Sequence, residues 1–160
     1  MRHLTAKICL TFALFILSAC GDYEKGADAY KEGDHATALS VFQPLAENKG
    51  FLSLFYSEED VINAQSNLGV MYDNGQGVPQ DDKTALKWYT LAAEQGKSSA
   101  QFNLGLMYRN GQGVSQNDKT AVKWYRLAAE QGGCRCPEQS RFDVRKPFDV
   151  RKWTRCSPGR

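Results

Sequence analysis

Residues 64–96 read AQSNLGVMYDNGQGVPQDDKTALKWYTLAAEQG, and residues 100–132 read AQFNLGLMYRNGQGVSQNDKTAVKWYRLAAEQG. The two stretches start 36 residues apart and are identical at 26 of their 33 positions. Self-similarity at a period in this range is typical of stacked supersecondary units, none of which can bury its apolar face alone. The duplication therefore predicts an array of repeats.

Each copy has the pattern of two helices. In the first copy, Ala64, Leu68 and Met71 fall at helical spacing, and Gly75 follows as a helix-ending glycine. A second helix begins after an N-cap at Asp81 or its neighbour and ends before the next glycine. The large side chains at these spacings predict the core: Leu68, Tyr72, Trp88, Tyr89, Leu104, Tyr108, Trp124 and Tyr125. We expect Trp88→Ala or Trp124→Ala to cost about 3–5 kcal/mol.

The residues that recur are A-x-x-x-L-G-x-M-Y-x-x-G-x-G-V, followed by D-x-x-x-A-x-x-W-Y-x-x-A-A-x-x-G. This string resembles the Sel-one-like repeat, a relative of the tetratricopeptide repeat. The resemblance implies an all-α fold, an α-solenoid of about three helix pairs wound into a right-handed superhelix. It also implies a role in binding other proteins, such as that of an adaptor in membrane complexes.

The repeats set the boundaries of the chain's segments. The two clear repeats occupy residues 64–99 and 100–133, and residues 20–50 are predicted to be a divergent first repeat. An insertion at 51–63 begins with the apolar run FLSLFY, which is either packed on the solenoid or an exposed contact patch. A helix is expected from about Glu58 to Asn74, because Ser57 resembles an N-cap and acidic residues follow it in the first turn.

The first 19 residues have the pattern of a secretory signal peptide. Two basic residues precede a ten-residue apolar run at 8–17, which is too short to span a bilayer as a helix. The following LSACG at 17–21 resembles the lipobox of bacterial lipoproteins, which implies cleavage after Ala19 and lipidation of Cys20. The protein is therefore expected in the bacterial cell envelope, facing the periplasm or on the surface. The alternative is an ordinary signal peptide with a chance cysteine.

The tail at 134–160 differs from the body in charge and in pattern. Residues 20–133 carry 10 Lys and Arg against 15 Asp and Glu, whereas residues 134–160 carry 8 against 3. The tail has little periodicity and is predicted to be disordered. It is either a basic arm that binds an acidic partner, lipid headgroups or the acidic body itself, or a sequence that replaces further repeats. In the second case the last repeat has an open apolar end that favours self-association.

Three cysteines remain after the signal peptide and the lipidated residue. Cys134, Cys136 and Cys156 are an odd number in an oxidising compartment. A Cys136–Cys156 or Cys134–Cys156 bridge leaves one thiol, which offers another route to self-association. No metal site is expected, because the Cys-x-Cys spacing is not a usual zinc pattern and no histidine lies nearby.

No residue pattern indicates catalysis. His35 is the one histidine after the signal peptide, no nucleophile motif is present, and the NGQGV strings lack the lysine of a phosphate loop. The formal charge of +2 indicates no attraction to nucleic acid. A non-catalytic protein without cofactors is expected. The alternative is an envelope hydrolase acting on β-lactams or peptidoglycan. Some cysteine-rich members of the Sel-one-like repeat family are described as β-lactamases or penicillin binders. Residues 21–133, however, contain no cysteine.

The seven differences between the copies indicate a candidate binding surface. Three of them lie on the first helix at i, i+4 and i+7, which is one helical stripe. We hypothesise that this stripe faces an unknown protein partner, with Phe102 and Arg109 as anchors, because aromatic residues and arginine dominate binding hot spots. The alternative is a solvated stripe that has drifted. Its residues are Ser66, Val70, Asp73, Phe102, Leu106 and Arg109.

Overall fold

A computed structural model describes residues 22–47, 56–131, 134–135 and 157–158. These residues form the helices α1 (Asp22–Glu32), α2 (His35–Ala46), α3 (Glu58–Asn74), α4 (Asp82–Glu94), α5 (Ser98–Asn110) and α6 (Asp118–Glu130). The strands β1 (Cys134–Arg135) and β2 (Ser157–Pro158) pair antiparallel, with Cys134 opposite Pro158. The predicted all-α class is confirmed, with this two-residue ladder as an addition in the tail.

Several predictions fall on residues outside those described. They concern the signal peptide, Cys20, the apolar run except for its last residue, and the tail between the two strands. The alternative bridges of Cys156 to Cys136 or Cys134 also involve residues outside the described set. The helix expected from Glu58 to Asn74 is present with those bounds, and its first turn is capped by the Ser57 hydroxyl, which accepts from the Asp60 N–H at 3.1 Å.

The chain divides into two compact units, residues 1–68 and 69–160, with the boundary inside α3. In the first unit α1 packs on α2 through Gly26, where an added Cβ would lie 2.8 Å from Cε1 of the buried Phe42 ring. In the second unit the same contact occurs twice. An added Cβ at Gly69 would lie 2.5 Å from Cδ1 of Tyr89, and one at Gly105 would lie 2.6 Å from Cε1 of Tyr125. Each helix pair is therefore closed by an aromatic ring lying directly on a glycine.

The turns inside the pairs are also built alike. In each pair, the backbone N–H of the residue that caps the second helix donates to a carbonyl of the first helix. The three bonds are Asp34 to Ala29 at 2.9 Å, Asp81 to Tyr72 at 3.0 Å and Asn117 to Tyr108 at 2.8 Å. The same three side chains accept from backbone N–H groups in the first turn of α2, α4 and α6. Residues 22–46 thus repeat the architecture of the two clear copies. Their turn is four residues shorter, since Phe42 follows Gly26 by 16 residues and Tyr89 follows Gly69 by 20.

A buried glutamine joins each of two helix pairs to the next helix. Gln65 Nε2 donates to the Ala46 carbonyl at 3.3 Å, and Gln101 Nε2 donates to the Ala93 carbonyl at 3.1 Å. Both acceptors lie in the last turn of a helix, where carbonyls have no intrahelical partner. The residues joined are 19 apart in the first case and 8 apart in the second. The extra 11 residues of the insertion are therefore accommodated without loss of this contact.

The predicted core residues differ in how completely they are buried. Leu68, Trp88, Tyr89, Leu104 and Tyr125 are buried, whereas Tyr72, Tyr108 and Trp124 are partly exposed. Trp88 and Trp124 occupy equivalent positions, yet Trp88 is only 7% exposed and Trp124 is more accessible. Among the described residues, α4 is followed by another helix of the array and α6 is not. The two tryptophans are therefore expected to contribute differently to the stability of the fold, although each lies between a lysine and a tyrosine in the sequence.

Candidate binding surface

The structure divides the six stripe residues into two groups. Ser66 and Phe102 are buried, at 6% and 7% exposure. The Phe102 ring packs on Tyr125 of its own helix pair at a centroid distance of 5.5 Å, and Tyr23 packs on Phe42 at 5.7 Å in the same way. The expectation that Phe102 is an exposed anchor is therefore corrected. Phe102 precedes Gly105 by three residues, as Tyr23 precedes Gly26, so an aromatic side chain at this position packs on the ring of the second helix.

The other four residues, Val70, Asp73, Leu106 and Arg109, are partly exposed and lie in the second unit. We call them the first-helix face. Leu106 also contacts the cluster formed by Phe102, Ala121, Tyr125 and Ala128, so its position is set by the core beneath it. The face thus combines apolar side chains held by packing with one acidic and one basic group.

Asp73 is tied to the core of its repeat. The Tyr89 hydroxyl donates to Asp73 Oδ2 at 3.4 Å, a long bond. Burial raises the pKa of the Asp73 carboxyl, the Tyr89 hydroxyl opposes that rise, and the nearby Asp82 carboxylate adds to it. Asp73 therefore helps to satisfy a buried hydroxyl, and less of its hydrogen-bonding capacity is available to a partner.

Arg109 occupies the position equivalent to Asp73 and has a different environment. Its Nε donates to Asn110 Oδ1 at 3.3 Å, and Asn110 Nδ2 donates to Gln112 Oε1 at 3.1 Å. The ion pairs found within the described residues both lie on α1, so no described carboxylate pairs with Arg109. Comparing the copies could not identify Asn110 and Gln112, because both copies share these residue types at those positions.

Two other polar features belong to the local structure of helix starts. The His35 ring packs against Tyr30 at a centroid distance of 5.4 Å, and its buried Nδ1 makes no hydrogen bond with a described residue. A shallow depression beside the start of α4 is lined by Gln80, Asp81, Asp82, Lys83 and Gly113. Its Asp81 carboxylate caps α4, and hydrogen bonds from the Thr84 side chain and backbone lower the pKa of that carboxyl. The depression is therefore part of the helix start.

The described ranges contain neither a metal-binding cluster nor a membrane-spanning helix. No group of three or more His, Cys, Asp or Glu side chains suited to a metal ion occurs in the part of the chain that the structure describes. None of the helices within those same ranges is both long and apolar enough to cross a membrane.

The repeat geometry has a direct counterpart among known families, since residues 62–97 and 98–133 each match the Sel1 repeat. The chain contains two Sel1 repeats. Sel1 repeats are generally protein-interaction modules and typically non-catalytic scaffolds. The two matched repeats confirm the resemblance stated from the sequence, and the solved structure of a Sel1 repeat protein supports a helical solenoid of repeats.

Two solved structures show how this chain compares with other proteins. A Sel1 repeat protein from Oxalobacter formigenes is 36% identical with a TM-score of 0.58, and the alignment covers 70% of this chain and 40% of that one. A protective antigen present in uropathogenic Escherichia coli strains, with an SLR fold, is 36% identical with a TM-score of 0.46, covering 69% and 26%. The chain thus spans less than half the length of either. A search of curated proteins found no match.

Proposed function

We propose that this protein is a non-catalytic adaptor, held on a bacterial envelope membrane by lipid on Cys20, that binds a partner protein through the first-helix face. The observation that carries the binding proposal is Arg109, which is partly exposed and pairs with no described carboxylate, beside the partly exposed Leu106. Arginine is, with tryptophan and tyrosine, among the residue types that contribute most at protein interfaces, so Arg109 is the expected anchor and Leu106 an apolar contact beside it. The lipobox-like LSACG at 17–21 supports the anchor.

Two of the six stripe residues are buried, so the surface offered to a partner is smaller than the sequence predicts. Ser66 and Phe102 face the interior, so a partner meets Leu106 and Arg109 on α5 and Val70 and Asp73 on the second half of α3. The partly exposed Trp124 on α6 supports a second, weaker route to association, in which the end of the array contacts another molecule.

The test is crosslinking in cells, followed by purification of the tagged full-length protein from membranes and mass spectrometry. We expect one partner at comparable abundance, and its recovery should fall at least tenfold in a Leu106→Ala, Arg109→Ala double variant. The matched control is Leu127→Ala, Arg126→Ala, which removes the same residue types from α6. Equal recovery with both double variants would remove the first-helix face from the proposal. The absence of any partner would remove the adaptor function.

A further inference from the structure

We propose that Arg109 is a preorganised carboxylate receptor, and that the partner segment on α5 is an extended acidic peptide with an aliphatic side chain next to its carboxylate. This inference rests on the proposed binding function and names the chemistry of the partner. It is drawn from three features of α5, namely the orientation of the guanidinium, the groups beside it and the charge of the surrounding helices.

The guanidinium of Arg109 is oriented by a long hydrogen bond of 3.3 Å between exposed side chains. Arg109 donates from Nε to Asn110, and the Asn110 amide is held in turn by Gln112. Arginine has five N–H donors in a planar fork, and this bond uses one of them. The four donors on the two Nη atoms remain for a ligand. A carboxylate matches such a fork with two parallel hydrogen bonds, and fixing the fork beforehand lowers the entropy lost on binding.

Leu106 and Asn103 lie three and six residues before Arg109 on α5, so Leu106 is rotated from Arg109 by about 60° around the helix axis and Asn103 by about 120°. Leu106 is partly exposed and is supported from beneath by the core, so it offers an apolar contact beside the guanidinium. The partly exposed Asn103 amide makes no hydrogen bond within the described residues, whereas Asn67, its equivalent in the previous copy, donates to the Tyr23 hydroxyl at 3.3 Å. An amide both donates and accepts, which suits the backbone of an extended segment.

The charge of the helices around Arg109 is compatible with an acidic partner. Residues 69–131 carry seven Lys and Arg against six Asp and Glu. The described residues before them, 22–47 and 56–68, carry two against nine. An acidic segment is therefore repelled by the charges of the first unit and not by those of the second. This difference favours approach to the unit that contains Arg109.

The test is selection of random peptides displayed on phage against the purified full-length protein. We expect the selected peptides to share an Asp or Glu next to a Leu, Ile or Val. A synthetic peptide of that consensus should lose about tenfold to a hundredfold in affinity with Arg109→Ala, the range for a hydrogen bond to a charged group. Arg109→Lys keeps the charge without the fork and should give a smaller loss. Arg126→Ala on α6 should leave the affinity unchanged.

The synthetic peptide is made with an amidated and with a free C-terminus, so that a side-chain carboxylate is distinguished from a chain end. Binding of both forms shows that Arg109 binds the carboxylate of an Asp or Glu side chain. Binding of the free form alone shows that it binds the C-terminal carboxylate, which overturns the assignment to an internal acidic segment. Peptides without carboxylates, no selected peptide, or an affinity unchanged by Arg109→Ala overturn the inference. If crosslinking in cells still finds a partner that the Leu106, Arg109 variant loses, the adaptor function stands without this partner chemistry.

Discussion

Gly69→Ala tests whether the close contact between a glycine and an aromatic ring holds each helix pair together. An added Cβ would lie 2.5, 2.6 and 3.0 Å from three atoms of the Tyr89 ring, well inside van der Waals contact. The ring has little room to move, because Tyr89 is 1% exposed and its hydroxyl donates to Asp73. Either α3 and α4 must separate, or the ring must leave its preferred rotamer.

Two opposing effects set the magnitude. Forcing one extra methyl into a packed core costs about 1–3 kcal/mol. Replacing glycine by alanine inside a helix contributes about 1 kcal/mol of stability in the absence of other contacts. We therefore expect Gly69→Ala to lower the free energy of unfolding by up to about 2 kcal/mol, since the contact at 2.5 Å is at the severe end of such clashes.

A double-mutant cycle with Tyr89→Ala separates the two effects. Tyr89→Ala removes every ring atom in the contact, so in that background Gly69→Ala should raise the free energy of unfolding by about 1 kcal/mol. The sign of the substitution thus reverses. The measurement is urea denaturation followed by circular dichroism, with sucrose added if Tyr89→Ala leaves the chain marginally stable. The same cycle with Gly105 and Tyr125 provides an independent second case.

Tyr89→Phe is the matched control. It removes the hydroxyl that bonds Asp73 and keeps the ring, so Gly69→Ala should remain destabilising in that background. If Gly69→Ala costs the same in the Tyr89→Ala and Tyr89→Phe backgrounds, the ring is not the cause, and the reasoning from the added Cβ is refuted.

Three further predictions use equivalent positions or the proposed anchor. Trp88→Ala should cost about 3–5 kcal/mol and Trp124→Ala about 1–2 kcal/mol less, because Trp124 is partly exposed; equal shifts in the urea midpoint would contradict this. Hydrogen bonds from Thr84 lower the pKa of the Asp81 carboxyl in the folded protein. Its ionised form therefore stabilises α4 at any pH above the carboxyl's ordinary pKa, and this stabilisation is lost as the pH falls through the lowered pKa. Urea midpoints between about pH 6 and pH 3 should therefore fall more for wild type than for Asp81→Asn, which keeps a capping oxygen; parallel pH profiles would exclude this role. Cys20→Ser should leave the full-length precursor unprocessed and without lipid, as globomycin should in the wild type. Normal maturation under either condition, followed by gel mobility and mass spectrometry, would show that the chain is not a lipoprotein.

The internal duplication made much of the fold predictable from the sequence. Twenty-six identities at one offset left a single interpretation for the helix pairs, because spacing of apolar residues, capping side chains and helix-ending glycines agreed in both copies. The helix from Glu58 to Asn74 was predictable for the same reason, since its serine and acidic first turn are local signals. The divergent pair at 22–46 is less clear from its sequence. Its equivalence rests on contacts between residues far apart, such as Gly26 with Phe42.

The candidate site was less predictable, because exposure is a property of packing. Residues at i, i+4 and i+7 share one face of a helix. Their spacing does not show which of them another helix covers, so sequence alone could not distinguish the buried positions from the exposed ones. Phe102 therefore appeared to be an anchor, although its ring lies on Tyr125. The arrangement that holds Arg109 was also hidden, because Asn110 and Gln112 do not differ between the copies.

The sequence by itself determined the repeat period, the helix-ending glycines and the apolar face of each helix, because these depend on residues near one another in the chain. Only the tertiary structure decided which members of those faces are buried. Trp88 and Trp124 each lie between a lysine and a tyrosine in the sequence and have different exposures, since α4 is followed by α5 and no described helix follows α6. Burial depends on what a neighbouring element covers, and that information lies outside the local sequence.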